Sequence, residues 1–147
     1  FAQHGISQDR IKLIGWLDLK ADHLGLYNEI DIALDTFPYN GTTTTCEALW
    51  MGAPVVTLAG NRHAGRVGVS LLAQVGLTEL IATDPDQYVQ IAASLAGNLD
   101  RLSALRAGLR EQMAKSPLCN AQVFTQDLER AYREMWKEWC AKQNQQI

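Results

Sequence analysis

Residues 34–56 read LDTFPYNGTTTTCEALWMGAPVV, and the order of elements in this stretch decides the fold. The pattern predicts the end of a buried strand, a loop marked by Pro38 and Gly41, a helix over 43–51 and a second strand over 55–58. A strand, a helix and a second strand in this order are typical of a parallel sheet. The loop therefore lies at the carboxyl end of a strand, where open α/β sheets bind their ligands.

The sequence on both sides of this stretch continues the same alternation. We predict strands at 11–15, 30–35, 55–58 and 80–82, and helices at 19–28, 43–51, 65–75, from Pro85 onward, over 99–113 and over 121–142. Asp18 is expected to cap the first helix, because a carboxylate accepts from unpaired backbone N–H groups there. The predicted fold class is α/β, a Rossmann-like parallel sheet flanked by helices. A doubly wound sheet usually has more strands, and we expect the others to precede Phe1.

Composition and charge limit the possible functions. The chain has 147 residues, a net charge of -3 and three widely spaced cysteines. The negative charge weighs against a nucleic-acid partner, and the cysteine spacing weighs against zinc and favours reduced thiols. We find no apolar run near the roughly 20 residues of a membrane span and no signal peptide. We therefore expect a cytoplasmic protein without a membrane partner. The first residue is Phe1 rather than Met, so we expect a fragment of a longer chain.

Four threonines stand where the second predicted helix begins. The first turn of a helix has unpaired N–H groups and a partial positive charge, which stabilise a bound diphosphate. Gly41 allows close backbone approach, and Glu47, one turn further, is placed to accept from both ribose hydroxyls. The motif is neither a P-loop, which needs a lysine in GxxxxGKS/T, nor a GxGxxG fingerprint. From the threonines alone, simple helix capping remains an open alternative.

The segment 41–56 closely resembles the donor-binding segment of SPINDLY proteins, and slightly less closely that of O-GlcNAc transferases. The resemblance continues through VGVSLL at 67–72, SPLCN at 116–120 and AYREMW at 131–136. It therefore covers nearly the whole chain. It implies the GT-B arrangement of two Rossmann-like lobes behind tetratricopeptide repeats. Residues 1–147 would form one domain, most of the C-terminal lobe without its N-terminal part, with 121–142 crossing back to the first lobe.

The resemblance also implies an activity. The chain is expected to bind a nucleotide-sugar donor, UDP-GlcNAc or GDP-fucose, for inverting transfer to Ser or Thr of proteins, without a metal or other cofactor. The general base is expected upstream, so no catalytic residue is assigned here and the chain alone is expected to be inactive. The acceptor protein would bind the missing lobe and repeats. A non-catalytic module of the same fold remains an alternative. A two-lobe epimerase is another, against which the SPLCN and YREMW strings argue.

Site residues follow from the resemblance one at a time. The diphosphate is assigned to the helix tip, the ribose to Glu47 and the base to the segment around Lys20. The predicted nucleotide-sugar site consists of Asp18, Lys20, His23, Gly41, Thr42, Thr43, Thr44, Glu47 and Arg66. Thr42 and Leu26 depart from O-GlcNAc transferases, which have His and Arg at these positions, and Thr42 matches SPINDLY. His63 also resembles a SPINDLY residue. Asp35 is expected to hydrogen-bond the loop rather than to take part in chemistry.

Overall fold

The fold is built on a small parallel sheet. The structure, a computed structural model, describes residues 1–144. Within that range three strands lie in the order β1-β2-β3, all parallel. They are β1 (Ala33–Leu34), β2 (Val55–Leu58) and β3 (Ile81–Ala82). Ala33 lies opposite Val55, and Thr57 lies opposite Ile81. Because the strands are parallel, the loops that follow β1 and β2 emerge at the same edge of the sheet.

Helices connect the strands and follow the sheet. They are α1 (Lys20–Gly25), α2 (Thr43–Trp50), α3 (Val67–Val75), α4 (Pro85–Ala96), α5 (Leu99–Lys115) and α6 (Ala121–Asn144). Short 3-10 turns lie at Ala2–His4, Gln8–Arg10, Leu26–Glu29, His63–Gly65, Thr78–Leu80 and Pro117–Cys119. The second, third and fourth predicted strands and helices α2 to α6 are thus present, with ends that differ by a few residues.

Local signals explain where most helices begin and end. Helix α2 is followed by Gly52 and helix α3 by Gly76, both at positive φ, 84° and 80°, a conformation that glycine adopts without steric cost. Asp84 caps α4 by accepting from the N–H of Gln87 at 2.8 Å. Asn98 caps α5 in the same way, accepting from the N–H of Arg101 at 3.0 Å. These caps satisfy donors that have no partner inside the helix.

The core lies where α2, α3, α4 and α5 pack around the central strand. Strand β2, whose sequence is VVTL, is buried along its whole length, as is usual for a central strand of a parallel sheet. The helices contribute a continuous apolar cluster that includes Ala48, Leu49, Leu72, Val75, Leu95, Leu102, Leu109 and Met113. At the end of α2, Arg110 of α5 donates from Nε to the carbonyl of Trp50 at 2.7 Å. Helix α2 is therefore held along its inner face and at its C-terminal end.

The predicted strand at 11–15 is wrong. The structure has no regular secondary structure there, and Leu13 and Trp16 are 91% and 92% exposed. A strand needs a neighbour for its backbone N–H and C=O groups, and within residues 1–144 no strand lies beside this segment. The four strands expected from the sequence are therefore three in the described part of the chain.

Two further predictions need correction. Asp18 does not cap the first helix, because α1 starts at Lys20 and its N-cap position is Leu19, which makes no side-chain capping bond. The helix is also shorter than predicted and continues as a 3-10 turn. The strand predicted at 30–35 is reduced to β1, because its partner β2 begins at Val55, opposite Ala33. Before that point, Arg106 donates from Nη1 to the carbonyls of Ile30 and Asp31. Those carbonyls thereby receive a side-chain donor.

Helix α6 projects from the rest of the domain. Its side chains over 121–143 are exposed except that of Cys140, which is half-buried, and the helix packs on the turn at 117–119. Trp136 and Trp139 stack on each other, with ring centroids 5.2 Å apart. The helix matches the range predicted as crossing to a first lobe, and the crossing itself stays a prediction. Among residues 1–144 no helix is both long enough and apolar enough to pass through a membrane.

Replacing Leu72 by Ala should destabilise the fold strongly. Leu72 is completely buried in the cluster between α3 and the sheet, and deletion of its methyl groups leaves a cavity that costs about 2–5 kcal/mol. Leu99→Ala, at an exposed position of α5, should change the free energy of unfolding by less than about 0.5 kcal/mol. Urea denaturation followed by circular dichroism measures both, and equal losses would contradict this view of the core.

Candidate functional site

The N-terminal tip of α2 is open to solvent. Thr42 occupies the N-cap position, but its side chain makes no capping hydrogen bond. The side chains of Thr42, Thr43 and Thr44 are all exposed, whereas Thr45 is buried and donates to the carbonyl of Gly41 at 3.0 Å. The N–H groups of the first turn have no intrahelical acceptor. The tip therefore offers hydroxyls, N–H groups and the positive end of a helix dipole to a ligand.

A buried carboxylate holds the loop behind this tip. Asp35 is only 9% exposed and immediately follows β1. Its Oδ1 accepts from the N–H of Gly41 at 2.8 Å, and its Oδ2 accepts from the hydroxyl of Thr57 on β2 at 2.7 Å. Its carbonyl accepts from the hydroxyl of Tyr88 at 2.8 Å. The prediction that Asp35 hydrogen-bonds the loop is confirmed.

Asn40 fastens the same loop to the start of α3. Its side chain is almost completely buried, and its Oδ1 accepts from the N–H of Gly68 at 3.2 Å. Its Nδ2 donates to the carbonyl of Thr36 at 3.0 Å, and its own N–H donates to the carbonyl of Ala64 at 2.9 Å. A Cβ added at Gly41 would lie 2.6 Å from the Thr44 hydroxyl and 2.8 Å from the hydroxyl of the buried Thr45, so one or both side chains would have to shift. The two helix starts are thus fixed relative to each other.

A second group of predicted residues meets in a cleft between α1 and α2. His23 Nε2 lies 3.1 Å from Glu47 Oε2, and both side chains are half-buried. Lys20 and Asp18 line the same cleft, together with Leu26 and residues 14–17. The structure therefore brings the residues assigned to the base together with the acid assigned to the ribose, one helical turn from the threonines.

Arg66 lies apart from this cleft. Its side chain is exposed and donates from Nη1 to the carbonyl of Gly60 at 3.2 Å. It immediately precedes α3, which follows β2, so it shares the edge of the sheet with the α2 tip. His63 is exposed in the 3-10 turn just before it. Among the hydrogen bonds and ion pairs of residues 1–144, none joins Arg66 or His63 to Glu47.

Sequence reasoning missed two tyrosines that support the site. Tyr27 donates from its hydroxyl to the carbonyl of Thr44 at 3.2 Å, and Tyr88 bonds Asp35 as described. Burial, followed by the Glu47 carboxylate, raises the pKa of Tyr27, and burial, followed by Asp35, raises the pKa of Tyr88. Both hydroxyls therefore stay protonated and able to donate near neutral pH. The spacing of His23 and Tyr27, four residues apart, was the signal available for Tyr27.

The structure assigns no metal ligands. Among residues 1–144 no three side chains of His, Cys, Asp or Glu come close enough together to hold a metal ion. What the site does present is a set of hydrogen-bond donors at the α2 tip and one acidic side chain, Glu47, with its two neighbours from α1. These groups suit a ligand that carries both anionic oxygens and hydroxyls.

Taken together, the parallel sheet and the open helix tip at its carboxyl edge define a Rossmann-like α/β lobe. The comparisons with known proteins agree with this class. A sequence profile described as glycosyl transferase family 41 matches residues 1–128. The chain belongs to glycosyltransferase family 41, which confirms the resemblance stated from the sequence and argues against the epimerase alternative.

Relatives within this family are similar over nearly the whole chain. A probable UDP-N-acetylglucosamine–peptide N-acetylglucosaminyltransferase SPINDLY from Petunia hybrida is 53% identical over 138 residues, covering 94% of this chain and 15% of that protein. The protein of the same description called SEC, from Arabidopsis thaliana, is 34% identical over 146 residues, 99% of this chain and 15% of the relative. The chain thus spans about 15% of the length of these curated relatives.

A solved structure has the same fold. A mutant O-GlcNAc transferase from Thermobaculum terrenum superposes with a TM-score of 0.84 at 42% identity, over 96% of this chain and 27% of that one. The predicted fold class, a Rossmann-like lobe of a GT-B glycosyltransferase, is confirmed by this match. The chain corresponds to about a quarter of that protein.

Gly68→Ala should loosen the loop between β1 and α2. An added Cβ would lie 2.3 Å from the Thr57 hydroxyl and 2.5 Å from Asp35 Oδ2, so the buried hydrogen bond between them would have to shift. We expect a loss of about 1–3 kcal/mol in the free energy of unfolding. Gly108→Ala is the matched control, because Gly108 is exposed on α5 and a Cβ added there meets nothing within 4 Å.

The control should stabilise the protein by about 0.5–1 kcal/mol, the usual gain when Ala replaces Gly inside a helix. Thermal and urea unfolding of both variants provide the measurement. A Gly68→Ala protein as stable as the parent would show that the Asp35–Thr57 contact is not the fixed point described here.

Proposed function

We propose that the chain is the nucleotide-sugar-binding lobe of a protein O-glycosyltransferase of the O-GlcNAc transferase and SPINDLY type. The observation that carries the proposal is the exposed α2 tip, Thr42–Thr44, on a loop that a buried carboxylate holds in place. Family membership and the names of the relatives, which describe peptide N-acetylglucosaminyltransferases, support the same conclusion. We further propose that the whole protein works in the cytoplasm.

In this proposal the diphosphate of the donor rests on the α2 tip. Departure of a nucleoside diphosphate builds negative charge on its phosphates, and donors that are already oriented stabilise that charge without reorganisation. The N–H groups of the first turn and the hydroxyls of Thr42, Thr43 and Thr44 are such donors. Because Asp35 and Asn40 fix the loop from behind, the tip does not have to reorganise when the donor binds. The proposal requires neither a metal nor another cofactor.

The nucleoside is placed in the cleft between α1 and α2. Glu47 is the proposed acceptor for the ribose hydroxyls, since a carboxylate can accept several hydrogen bonds at once. His23 and Lys20 would face the base, and the backbone at Asp18 would touch it. Arg66 is proposed to reach the donor from the start of α3, although its present partner is the carbonyl of Gly60.

The remaining parts of the reaction are assigned to the rest of the protein. We propose inverting transfer to Ser or Thr hydroxyls, with the general base and the acceptor-peptide groove in the first lobe. The 147-residue chain alone should therefore be inactive. UDP-GlcNAc and GDP-fucose are both retained as donors. The names of the relatives favour the first, whereas Thr42 and the string TTTTCE at 42–47 favour a SPINDLY-like site.

Glu47→Ala in the full-length protein should weaken nucleotide binding. Isothermal titration with UDP and with GDP identifies the nucleotide that binds. Loss of hydrogen bonds to a charged group costs about 1–3 kcal/mol, so the Kd of that nucleotide should rise about 5- to 150-fold. Glu111→Ala, which removes an exposed carboxylate paired only with Lys115 on α5, should leave the Kd unchanged.

Two results would count against the proposal in different ways. An unchanged Kd in Glu47→Ala would remove Glu47 from the site while leaving nucleotide binding intact. A full-length protein that binds neither UDP nor GDP would refute the function itself.

A further inference from the structure

Two contacts join α1 and the 3-10 turn that follows it to the proposed ribose and phosphate positions on α2, and a third contact links the two residues that make them. His23 Nε2 lies 3.1 Å from Glu47 Oε2. The His23 ring meets the ring of Tyr27 edge-on, with centroids 5.8 Å apart and planes at 89°. The Tyr27 hydroxyl donates to the carbonyl of Thr44 at 3.2 Å. We call His23, Tyr27, Thr44 and Glu47 the α1–α2 bracket.

The chemistry of the first contact fixes its direction. An ionised carboxylate only accepts hydrogen bonds, so the proton of this bond resides on His23 Nε2. The bond occupies Oε2 of Glu47 and leaves Oε1 available to a ligand. A glutamate side chain has several rotatable bonds, and ordering it only when a ligand arrives costs conformational entropy. A carboxylate that is already held by His23 avoids that cost.

Tyr27 holds the histidine in place. It is buried, in contrast to the half-buried His23, and lies one turn further along, where α1 continues into the 3-10 turn. Its ring limits the orientation of the imidazole, and its hydroxyl ties the same unit to the backbone of the first turn of α2. The position of Glu47 is therefore coupled to the turn that carries the threonines.

We propose that His23 is a positioning residue for the ribose subsite: it orients Glu47 so that Oε1 faces the ribose hydroxyls. The inference rests on the proposed function, in which His23 faces the base. It adds a second role for His23, the orientation of Glu47 towards the ribose. Loss of His23 then impairs recognition of the ribose hydroxyls specifically, in addition to any loss of base contact.

The test measures ribose recognition separately from nucleotide binding. In the full-length protein, the Kd values of UDP and GDP are compared with those of their 2′,3′-dideoxy counterparts. For the nucleotide that binds, the ratio of dideoxy Kd to ribose Kd should be about tenfold or more in the parent protein, the scale of hydrogen bonds to a charged group. In His23→Ala this ratio should fall below about threefold.

Two variants sharpen the result. His23→Gln keeps an N–H donor in reach of Glu47 and should retain most of the ratio, although its base contact is altered. Glu47→Ala should abolish the ratio, and the double variant should lower it no further, because both residues act through the same carboxylate. His23 is half-buried, so His23→Ala is expected to fold, which circular dichroism verifies.

Three results would overturn the proposed role of His23. If His23→Ala weakens the ribose and dideoxy nucleotides equally, so that the ratio is unchanged, His23 acts on the base alone and the inference is wrong. A parent ratio near one would also overturn it, while nucleotide binding and the proposed function would stand. Binding of neither nucleotide to the parent protein would overturn both.

Discussion

The hydrogen bond from the Gly41 N–H to the Asp35 carboxylate is the contact on which the candidate site depends. It comes directly after β1, so the sheet determines where the loop turns and where α2 begins. A buried carboxylate is costly unless hydrogen bonds satisfy it, and here the Thr57 hydroxyl supplies the second one. The same carboxylate leaves no room for a side chain at Gly68. One charged group thereby fixes two strands, one loop and the starts of two helices.

The loop that Asp35 holds positions the rest of the candidate site. The α2 tip is held from behind by buried groups and open in front, which suits a ligand with a charged diphosphate. One turn later Glu47 meets the residues of α1, so the phosphate and nucleoside positions lie on a single short helix and its neighbour. Membership of glycosyltransferase family 41 supports the interpretation of this arrangement as a nucleotide-sugar site. The relatives are far longer than this chain, and catalysis is proposed for the complete protein.

The sequence predicted those features that local patterns determine. Helix α2 and strand β2 follow from an apolar run, a glycine stop and a proline, all within 20 residues of one another. The strand predicted at 11–15 is absent because a strand also needs a neighbour. Asp18 is not the cap because the helix starts at Lys20, one residue later than predicted. The supports of the site were missed for a different reason: Tyr27, Asn40 and Tyr88 bond partners 17, 28 and 53 residues away in sequence. Such pairs become visible only when the chain is folded.

The central claim is that the tip of α2 receives the diphosphate, and a crystal structure of the full-length protein with a bound nucleoside diphosphate tests it most directly. The account predicts phosphate oxygens within about 2.7–3.2 Å of the first-turn N–H groups and of the hydroxyls among Thr42, Thr43 and Thr44, with the ribose at Glu47. A diphosphate bound elsewhere on the protein, with this tip in contact only with solvent, would contradict it.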